Sequence, residues 1–423
     1  MKAAEQVRVL QLMLHDTLVG HLVGSQGGRN ALVFDEGFRK NPHRPTLSLT
    51  IHRDFPGADK LIGEPWVRNQ RLHPILSNLL PEGALRELLA QALKIHVDNE
   101  FELFAHLGQD LPGALVATAL EPDQIPAHVL DSYQNAAPIS LASPLRQGHF
   151  SLAGVQMKFS MQEKDGRYRL AHSGGLGDWI LKTPSTRHRD VPLNEYSAMT
   201  LAKHAGVNIP DIALVPLEKL DTLPQINLPA ERFAFAIRRF DRHDGQRIHM
   251  EDFAQVLVKY PHEKYGSANY EQIGKVLYQY TGDGLGNVQQ FARRLLVNIL
   301  LANGDAHLKN WSLLYADTVT PELSPAYDMV TTSVYIPDES QFALNLGKTR
   351  QWYDVDSTHF EAWAGKADIP WKAIRLHLED TMEKARSLWP DALSDLPMNQ
   401  EHKAQLIAHW KRLQPDFRIE AGS

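Results

Sequence analysis

An acid and an amide stand five positions apart in the string Asn303–Asn310, which reads NGDAHLKN. The string lies between a helix predicted over 288–301 and a strand predicted over 311–315. On a loop of this length, the Asp305 carboxylate can face a substrate hydroxyl and accept its proton. The Asn310 carboxamide oxygen can at the same time point toward a magnesium ion near phosphates. The two residue types are therefore suited to phosphoryl transfer.

A second carboxylate, Asp328, follows a predicted strand and a turn that contains Pro325. It supplies another hard oxygen ligand for a divalent cation. The spacing of Asp305 and Asn310 matches that of a protein-kinase catalytic loop. Asn, Gly and Asp are also common turn formers, so the loop residues taken alone could simply join a helix to a strand.

Lys182 ends a predicted apolar strand over 179–182, where a lysine can reach from a sheet to nucleotide phosphates. A lysine at a strand end can equally be a solvated edge residue, because lysine is mostly exposed. Glu195 opens the next predicted helix, over 194–205. It could pair with Lys182 or only stabilise the helix N-terminus electrostatically. The sequence leaves both alternatives open.

Composition excludes several other classes of protein. The 423 residues carry 44 Lys and Arg against 50 Asp and Glu, a net charge of −6, so a body-wide basic face for nucleic acid is not expected. Cysteine is absent, which excludes disulfides, thiolate metal sites and a cysteine nucleophile. Zinc-hydrolase HExxH and serine-hydrolase GxSxG motifs do not occur. No apolar run approaches about 18 residues, and Glu5 and Arg8 interrupt any signal-peptide core. We therefore expect a soluble cytoplasmic protein that does not contact membranes.

The element pattern indicates strands first and helices later. We predict a hairpin over 7–23, a strand over 46–51, helices over 82–95 and 98–107, strands over 158–162, 168–171, 179–182 and 233–238, and helices over 269–280, 288–301, 357–365, 371–388 and 400–413. The proline-containing segment 121–148 reads as a linker or surface excursion. The predicted domains are 1–125, 126–240 and 241–423, and the predicted fold class is α+β.

Six motifs in this order resemble the HipA family of bacterial serine/threonine-protein kinase toxins. They are Ser151–Lys158, Trp179–Pro184, Asn194–Tyr196, Arg239–Arg242, Asn303–Asn310 and Pro325–Asp328. The strings Asn78–Gly83 and Asp110–Gly113 resemble the extra N-terminal subdomain of that family. The resemblance covers nearly the whole chain. It implies a bilobal protein-kinase-like fold related to phosphoinositide kinases, with the N-terminal subdomain over 1–125, a sheet-rich lobe over 126–240 and a mostly helical lobe over 241–423.

The resemblance also implies ATP and Mg²⁺ as cofactors. By motif position, Asp305 is the catalytic base, Asn310 and Asp328 are magnesium ligands, and Glu195 pairs with Lys182, the lysine that holds nucleotide phosphates. Other implied ATP-binding residues form the phosphate loop, the hinge beside adenine, and the catalytic and metal-binding segments. They are Ala153, Gly154, Val155, Gln156, Met157, Lys158, Arg238, Arg239, Phe240, His307, Leu308, Lys309 and Tyr327.

Family members autophosphorylate at the position of Ser151, and a phosphate there would repel the phosphates of ATP. They are neutralised by a helix-turn-helix (HipB-like) antitoxin, repress their operon together with it, and phosphorylate an aminoacyl-tRNA synthetase, which favours persistence. The resemblance implies the same partners here, with operator DNA contacted mainly through the antitoxin. Two alternatives are a pseudokinase that acts as a binding module or corepressor, and a small-molecule kinase on the same fold.

Overall fold

The computed structural model describes residues 5–131, 136–139, 158–170, 176–221, 223 and 228–420. Several predicted site residues lie outside this set, namely Ser151, Ala153, Gly154, Val155, Gln156 and Met157. Among the described residues, no helix combines the length and the apolar character that crossing a membrane requires.

The chain divides into two units that do not follow chain order. Unit 1 comprises Met1–Leu152, Asp241–Pro261 and Leu314–Thr320, and unit 2 comprises Ala153–Phe240, His262–Leu313 and Pro321–Ser423. The chain therefore returns twice to the unit that holds its N-terminus. The three-domain prediction, with boundaries near 125 and 240, used consecutive segments only, and its boundaries stay predictions.

Unit 2 is built on a six-stranded sheet. In spatial order its strands are Ile212–Pro216, Phe233–Arg238, Trp179–Lys182, Lys158–Lys164, Arg167–Leu170 and Leu220–Asp221. The four strands predicted in this region are all present. Short apolar strands such as Phe233–Arg238 lie inside the sheet because their side chains are buried.

Six longer helices complete unit 2, together with the short strands Glu322–Leu323, Gln341–Leu346 and Thr349–Gln351. The helices are Val191–His204, Tyr270–Tyr280, Gly284–Leu300, Ser357–Lys366, Trp371–Asp395 and Gln400–Arg412. A capping box of Asn269 and Gln272 starts the second helix, and the Asp283 carboxylate accepts from the backbone of the third. The predicted helices in this part of the chain are confirmed.

Unit 1 is built on an antiparallel sheet with one parallel edge strand. In chain order its strands are Glu5–Leu14, Thr17–Ser25, Arg29–Phe34, Trp66–Asn69, Leu115–Leu120 and Ala136–Pro138. The first strand is central and pairs with the second, the fifth and, in parallel, the sixth. Leu10, Leu12 and Leu14 alternate onto one buried face, and Val7 and Val9 on the opposite face are buried in a second, smaller cluster. The predicted hairpin is confirmed.

The helices of unit 1 are short. They are Glu36–Lys40, Ala58–Gly63, Pro74–Ser77, Gly83–Leu93, Glu100–Leu107, Ala127–Leu130 and Phe253–Val256. The remaining strands are Arg242–His243, Gln246–Arg247 and His249–Asp252, and the strand Ser312–Tyr315 crosses from unit 2 into unit 1. The helices predicted over 82–95 and 98–107 are confirmed as Gly83–Leu93 and Glu100–Leu107.

The strand predicted over 46–51 is wrong. The structure has a short 3-10 helix there, Leu49–Ile51, and every side chain from Thr46 to Ile51 is buried rather than every second one. The backbone N–H of Leu49 donates to the Glu251 carboxylate at 2.7 Å instead of joining a sheet. Glu251 lies about two hundred residues away in sequence, so the local pattern held no sign of this bond.

Glu251 is a fully buried carboxyl group in unit 1. Its Oε1 accepts from the backbone of Leu49 and from the Tyr315 hydroxyl, while its Oε2 has no hydrogen-bond partner among the described residues. Burial raises the pKa of Glu251 to about 7, and the hydrogen bonds from Tyr315 and Leu49 oppose that rise only in part. The folded protein therefore binds a proton here more tightly than the unfolded chain does.

We expect the variant Glu251→Gln to be more stable than the parent protein above about pH 7 and equally stable near pH 4. The sign follows from the raised pKa: as the pH rises from 4.5 toward 7, the carboxyl ionises freely in the unfolded chain but stays protonated in the folded protein, so the parent loses stability over that interval. The amide still accepts from Leu49 and Tyr315 but carries no charge. The upper limit of the gain in unfolding free energy is about 3 kcal/mol.

The measurement is the midpoint of thermal unfolding across this pH range. Glu64→Gln, at an exposed glutamate of the same unit, is the matched control and should change nothing. A stability difference that is independent of pH would contradict the assignment.

Candidate active site

Two lysines of unit 2 lie side by side on neighbouring strands. Lys158 and Lys182 are directly opposite each other in the antiparallel pair, and Phe235 is opposite Lys182 on its other side. Residues opposite each other across strands point to the same face of a sheet. The pairing register therefore directs both ammonium groups to one place.

The two ammonium groups meet the carboxylates of Glu195 and Asp328. Lys182 Nζ donates to Glu195 Oε1 and to Asp328 Oδ1, and Lys158 Nζ donates to Asp328 Oδ2 at 3.1 Å. The Lys182 side chain is only 5% exposed. Lys182 is therefore no solvated edge residue, and Glu195 does pair with it rather than only facing a helix end.

Lys182 and Asp328 keep each other ionised, whereas burial raises the pKa of Glu195 despite its contact with Lys182. Burial works against the charged form of Lys182, but Asp328 and Glu195 outweigh it and raise its pKa above the ordinary lysine value. Burial would raise the pKa of Asp328, yet Lys158 and Lys182 hold it well below its usual range. Asp328 also has φ of 53°, a left-handed conformation that few non-glycine residues adopt. Its carboxylate is thus held in place at some conformational cost.

The predicted catalytic loop follows the helix Gly284–Leu300 and is fixed by its own amides. Asn303 Oδ1 accepts from the backbone N–H of Asp305 at 3.1 Å, and Asn303 Nδ2 donates to Asn298 Oδ1 at 2.8 Å. Asn310 Nδ2 donates to the Asp305 carbonyl at 2.7 Å. These hydrogen bonds define the loop conformation, and the bond from the Asp305 N–H to Asn303 Oδ1 is the kind that turn-forming asparagines make.

Asn310 and Asp328 line the same small cavity of unit 2, of about 10 Å³. The other lining residues are Arg294, Asn298, Asn303, Ala306, Trp311, Tyr327 and Met329. Since the Asn310 nitrogen is used by Asp305, the amide oxygen is the atom left to accept or to bind a cation. The two predicted metal ligands are therefore brought together. Among the described residues, no cluster of three or more His, Asp or Glu could hold a metal ion by itself.

Asp305 lines a second, larger cavity, of about 580 Å³. The others lining it are His188, Tyr265, Gly304, Thr332, Tyr335, Ile336, Asp338, Glu339, Ser340, Gln341, Phe342, Ala343 and Arg350. A side chain on Gly304 would collide with Glu339 Oε1 at 2.3 Å and the Gln341 carbonyl at 2.9 Å. Glycine before Asp305 is thus a packing requirement. The Tyr265 hydroxyl donates to Asp305 Oδ1, and because no sequence motif marks this tyrosine, the sequence does not predict it as a site residue.

The predicted hinge residues differ in burial and in side-chain contacts. Arg239 is largely buried and donates to Ser160 Oγ at 3.0 Å, and the Phe240 ring lies against Tyr327 with centroids 5.5 Å apart. The Arg238 side chain is exposed, with its guanidinium 3.9 Å from Asp211. The N–H groups of Arg238 and Arg239 already donate to backbone carbonyls of unit 2.

The remaining predicted residues belong to the catalytic loop or are bonded to it. The Tyr327 hydroxyl donates to the Lys309 carbonyl at 2.8 Å, which ties the segment of Asp328 to the catalytic loop. Leu308 is buried, and His307 Nε2 lies 3.9 Å from Asp305 Oδ1. Every predicted site residue that the structure describes is therefore in unit 2.

A strand lysine paired with a helix glutamate, above a loop that carries an aspartate and an asparagine, defines a protein-kinase type of α+β fold. Two family models match the chain, a HipA N-terminal domain over residues 10–118 and a HipA-like C-terminal domain over 150–389. The chain therefore belongs to the HipA family of serine/threonine-protein kinase toxins, as its motifs predict.

Individual relatives agree with this membership. The chain is 39% identical over 396 residues to the putative kinase Y4dM of Sinorhizobium fredii, covering 93% of this chain and 94% of the relative. It is 24% identical over 400 residues to the serine/threonine-protein kinase toxin HipA of Shewanella oneidensis, covering 86% and 85%. A solved complex of HipA, HipB and operator DNA from Shewanella oneidensis has the same fold, with a TM-score of 0.69 and 21% identity over 96% of this chain and 97% of that one.

We expect Lys182→Met to destabilise the protein by about 3 kcal/mol or more, because two carboxylates then lose their shared buried cation. Combining it with Glu195→Gln should recover part of the loss, since one of the unpaired charges is removed. A double-mutant cycle of urea unfolding measures this coupling.

The exposed ion pair between Lys275 and Asp368, at 3.0 Å in the same unit, is the matched control. Lys275→Met should cost less than about 1 kcal/mol. Additive effects of Lys182→Met and Glu195→Gln would show that the two side chains are not coupled.

Proposed function

We propose that this protein transfers the γ-phosphoryl group of ATP, with Mg²⁺, to a serine or threonine hydroxyl of a protein. One observation carries the proposal. Lys182 donates to both Asp328 and Glu195. Asp328 lines the same cavity as Asn310. The Asn310 amide in turn donates to the Asp305 carbonyl. Lys182, Glu195, Asp328 and Asn310 thus lie together, as the groups that position phosphates and cation do in a kinase, and Asp305 is tied to them through its backbone carbonyl.

Asp305 is proposed as the general base. Its carboxylate accepts the proton of the acceptor hydroxyl as the hydroxyl oxygen bonds to the terminal phosphorus, and the bond from that phosphorus to the leaving oxygen of ADP breaks. The carboxylate is 51% exposed and lines the 580 Å³ cavity, so an acceptor segment can reach it.

Asn310 and Asp328 are proposed to hold Mg²⁺, and their chemistry fits that ion. Both offer oxygen ligands, and the lysines keep the Asp328 carboxylate ionised at neutral pH. Two protein ligands suffice, because Mg²⁺ usually keeps several waters and binds substrate phosphates as well. When bound, the ion neutralises charge on the transferring phosphoryl group. Lys182 and Lys158 would then hold phosphate oxygens.

Residues Ala153 to Lys158 are proposed as the phosphate loop, and Arg238, Arg239 and Phe240 are proposed to lie beside adenine. His307 to Asn310 and Tyr327 are proposed to lie beside the nucleotide. Ser151 is proposed as an autophosphorylation site. Lys158 supports this assignment, because it is the last residue of the proposed loop and its ammonium group binds Asp328. A phosphate on Ser151 adds about −1.5 to −2 charges next to the site for ATP phosphates. Autophosphorylation would thus repel the nucleotide and switch the enzyme off.

The proposed partners are a HipB-like helix-turn-helix antitoxin, operator DNA bound mainly through it, and an aminoacyl-tRNA synthetase as the acceptor. Family membership and the HipB and operator DNA in the Shewanella complex support the first two. The net charge of −6 fits a protein that reaches DNA through a partner. The synthetase rests on the family resemblance alone, and mass spectrometry of proteins phosphorylated during expression tests it.

We expect Asp305→Asn to lower the rate of phosphoryl transfer from radiolabelled ATP by at least about 100-fold, because the amide cannot accept the proton. ATP affinity and the thermal unfolding midpoint should stay close to those of the parent. Expression of the parent should arrest growth, and the variant should relieve that arrest.

Asp354→Asn, at an exposed aspartate of unit 2, is the control and should transfer phosphate at the parental rate. A parent protein that binds ATP but labels no protein would instead support a pseudokinase. Labelling of metabolites without labelling of protein would support a small-molecule kinase.

We also expect phosphopeptide mapping after incubation with ATP to find Ser151 modified. Ser151→Ala should lose that label yet still phosphorylate another protein, because the serine hydroxyl takes no part in transfer to an external acceptor. Labelling confined to other sites would rule out Ser151 as the autophosphorylation site.

A further inference from the structure

Asp305 is held by hydrogen bonds at all of its polar atoms but one. Its N–H donates to Asn303, and its carbonyl accepts from the Asn310 amide at 2.7 Å and from the His307 N–H at 2.7 Å. Its Oδ1 accepts from the Tyr265 hydroxyl at 2.5 Å. No donor within the described parts of the chain reaches Oδ2. One carboxylate oxygen is thus fixed and the other is left for chemistry.

Tyr265 is itself fastened to the catalytic loop. The Tyr265 ring packs edge-on against the His307 ring, with centroids 4.9 Å apart, and the Lys264 ammonium group lies 5.5 Å from the tyrosine ring centre. The Lys264 carbonyl accepts from the Leu308 N–H at 3.3 Å. Backbone and side chain of this short segment therefore both contact the loop that carries Asp305. The hydroxyl of Tyr265 is placed by these contacts, although the residue is 48% exposed.

Without such a partner the carboxylate of Asp305 would turn. The terminal torsion of an aspartate is broad, and a half-exposed side chain has little packing to limit it. Proton transfer requires the accepting oxygen within hydrogen-bond reach of the acceptor hydroxyl, and misplacement of a catalytic group by about 1 Å can cost 100-fold in rate. Tyr265 and Asp305 line the same cavity, so the tyrosine acts at the wall where an acceptor enters.

We propose that Tyr265 is a positioning residue for phosphoryl transfer: its hydroxyl fixes Oδ1 of Asp305, so that Oδ2 is the oxygen that accepts the proton of the acceptor hydroxyl. The proposal rests on the proposed kinase function. It differs from a role in acceptor binding, in which Tyr265 would touch the substrate, and from a blocking role, in which its hydroxyl would only occupy the place of the substrate hydroxyl.

The test is the variant Tyr265→Phe in the full chain, since phenylalanine keeps the ring against His307 and removes only the hydroxyl. The rate of phosphoryl transfer from radiolabelled ATP is measured on the protein itself and on dephosphorylated casein. We expect kcat to fall about tenfold, with KM for ATP, KM for casein and the thermal unfolding midpoint unchanged. A purely structural role would shift the unfolding midpoint as well.

Tyr278→Phe, on the helix Tyr270–Tyr280, is the matched control and should keep the parental kcat. An unchanged kcat in Tyr265→Phe overturns the proposal. A raised kcat overturns it in favour of the blocking role, and a raised KM for casein at constant kcat overturns it in favour of acceptor binding. If the parent labels neither itself nor casein, the proposed function is wrong as well. If the parent and Tyr265→Phe label both proteins at equal rates, only this inference is wrong.

Discussion

The site of unit 2 depends on a buried ammonium group shared by two carboxylates. Lys182 is 5% exposed and donates to both Glu195 and Asp328. Removing such charges from water costs several kcal/mol per ion, and only close pairing with good geometry offsets that cost. A strand, a helix and a loop must therefore be in register before the lysine can be buried. The same requirement fixes the Asp328 carboxylate, including its left-handed backbone.

The cluster also prepares the site electrostatically for what it is proposed to bind. Lys158 and Lys182 carry two positive charges, and Glu195 and Asp328 carry two negative charges, so the group is balanced. Nucleotide phosphates would bring negative charges to this site, and a magnesium ion would bring positive charge. Under the proposed function, Asp328 would bind the ion and the lysines would bind phosphate oxygens, so each charged side chain would exchange its present partner for one of the same charge sign.

Sequence alone predicted the elements whose patterns are local and failed where partners are distant. The strand Trp179–Lys182 and the helix Tyr270–Tyr280 have apolar spacing and capping that a window of residues contains. The segment 46–51 was misassigned because its conformation depends on Glu251. The register that sets Lys158 opposite Lys182 is equally non-local. Motif order pointed to Asp305, Asn310 and Asp328, whereas Tyr265 lies in no motif, so only folding brings it to Asp305.

The two aspartates show how environment assigns different tasks to one functional group. Asp328 is 26% exposed and engages two ammonium groups, which favour its charged form and suit a carboxylate that is to bind a cation. Asp305 is 51% exposed, its Oδ1 accepts from the Tyr265 hydroxyl, and His307 Nε2 lies 3.9 Å away, but no lysine or arginine of the described residues forms an ion pair with it. An ion pair with a lysine favours the charged form of a carboxylate and weakens it as a base, whereas the hydrogen bond from the Tyr265 hydroxyl to Oδ1 leaves Oδ2 available for a proton.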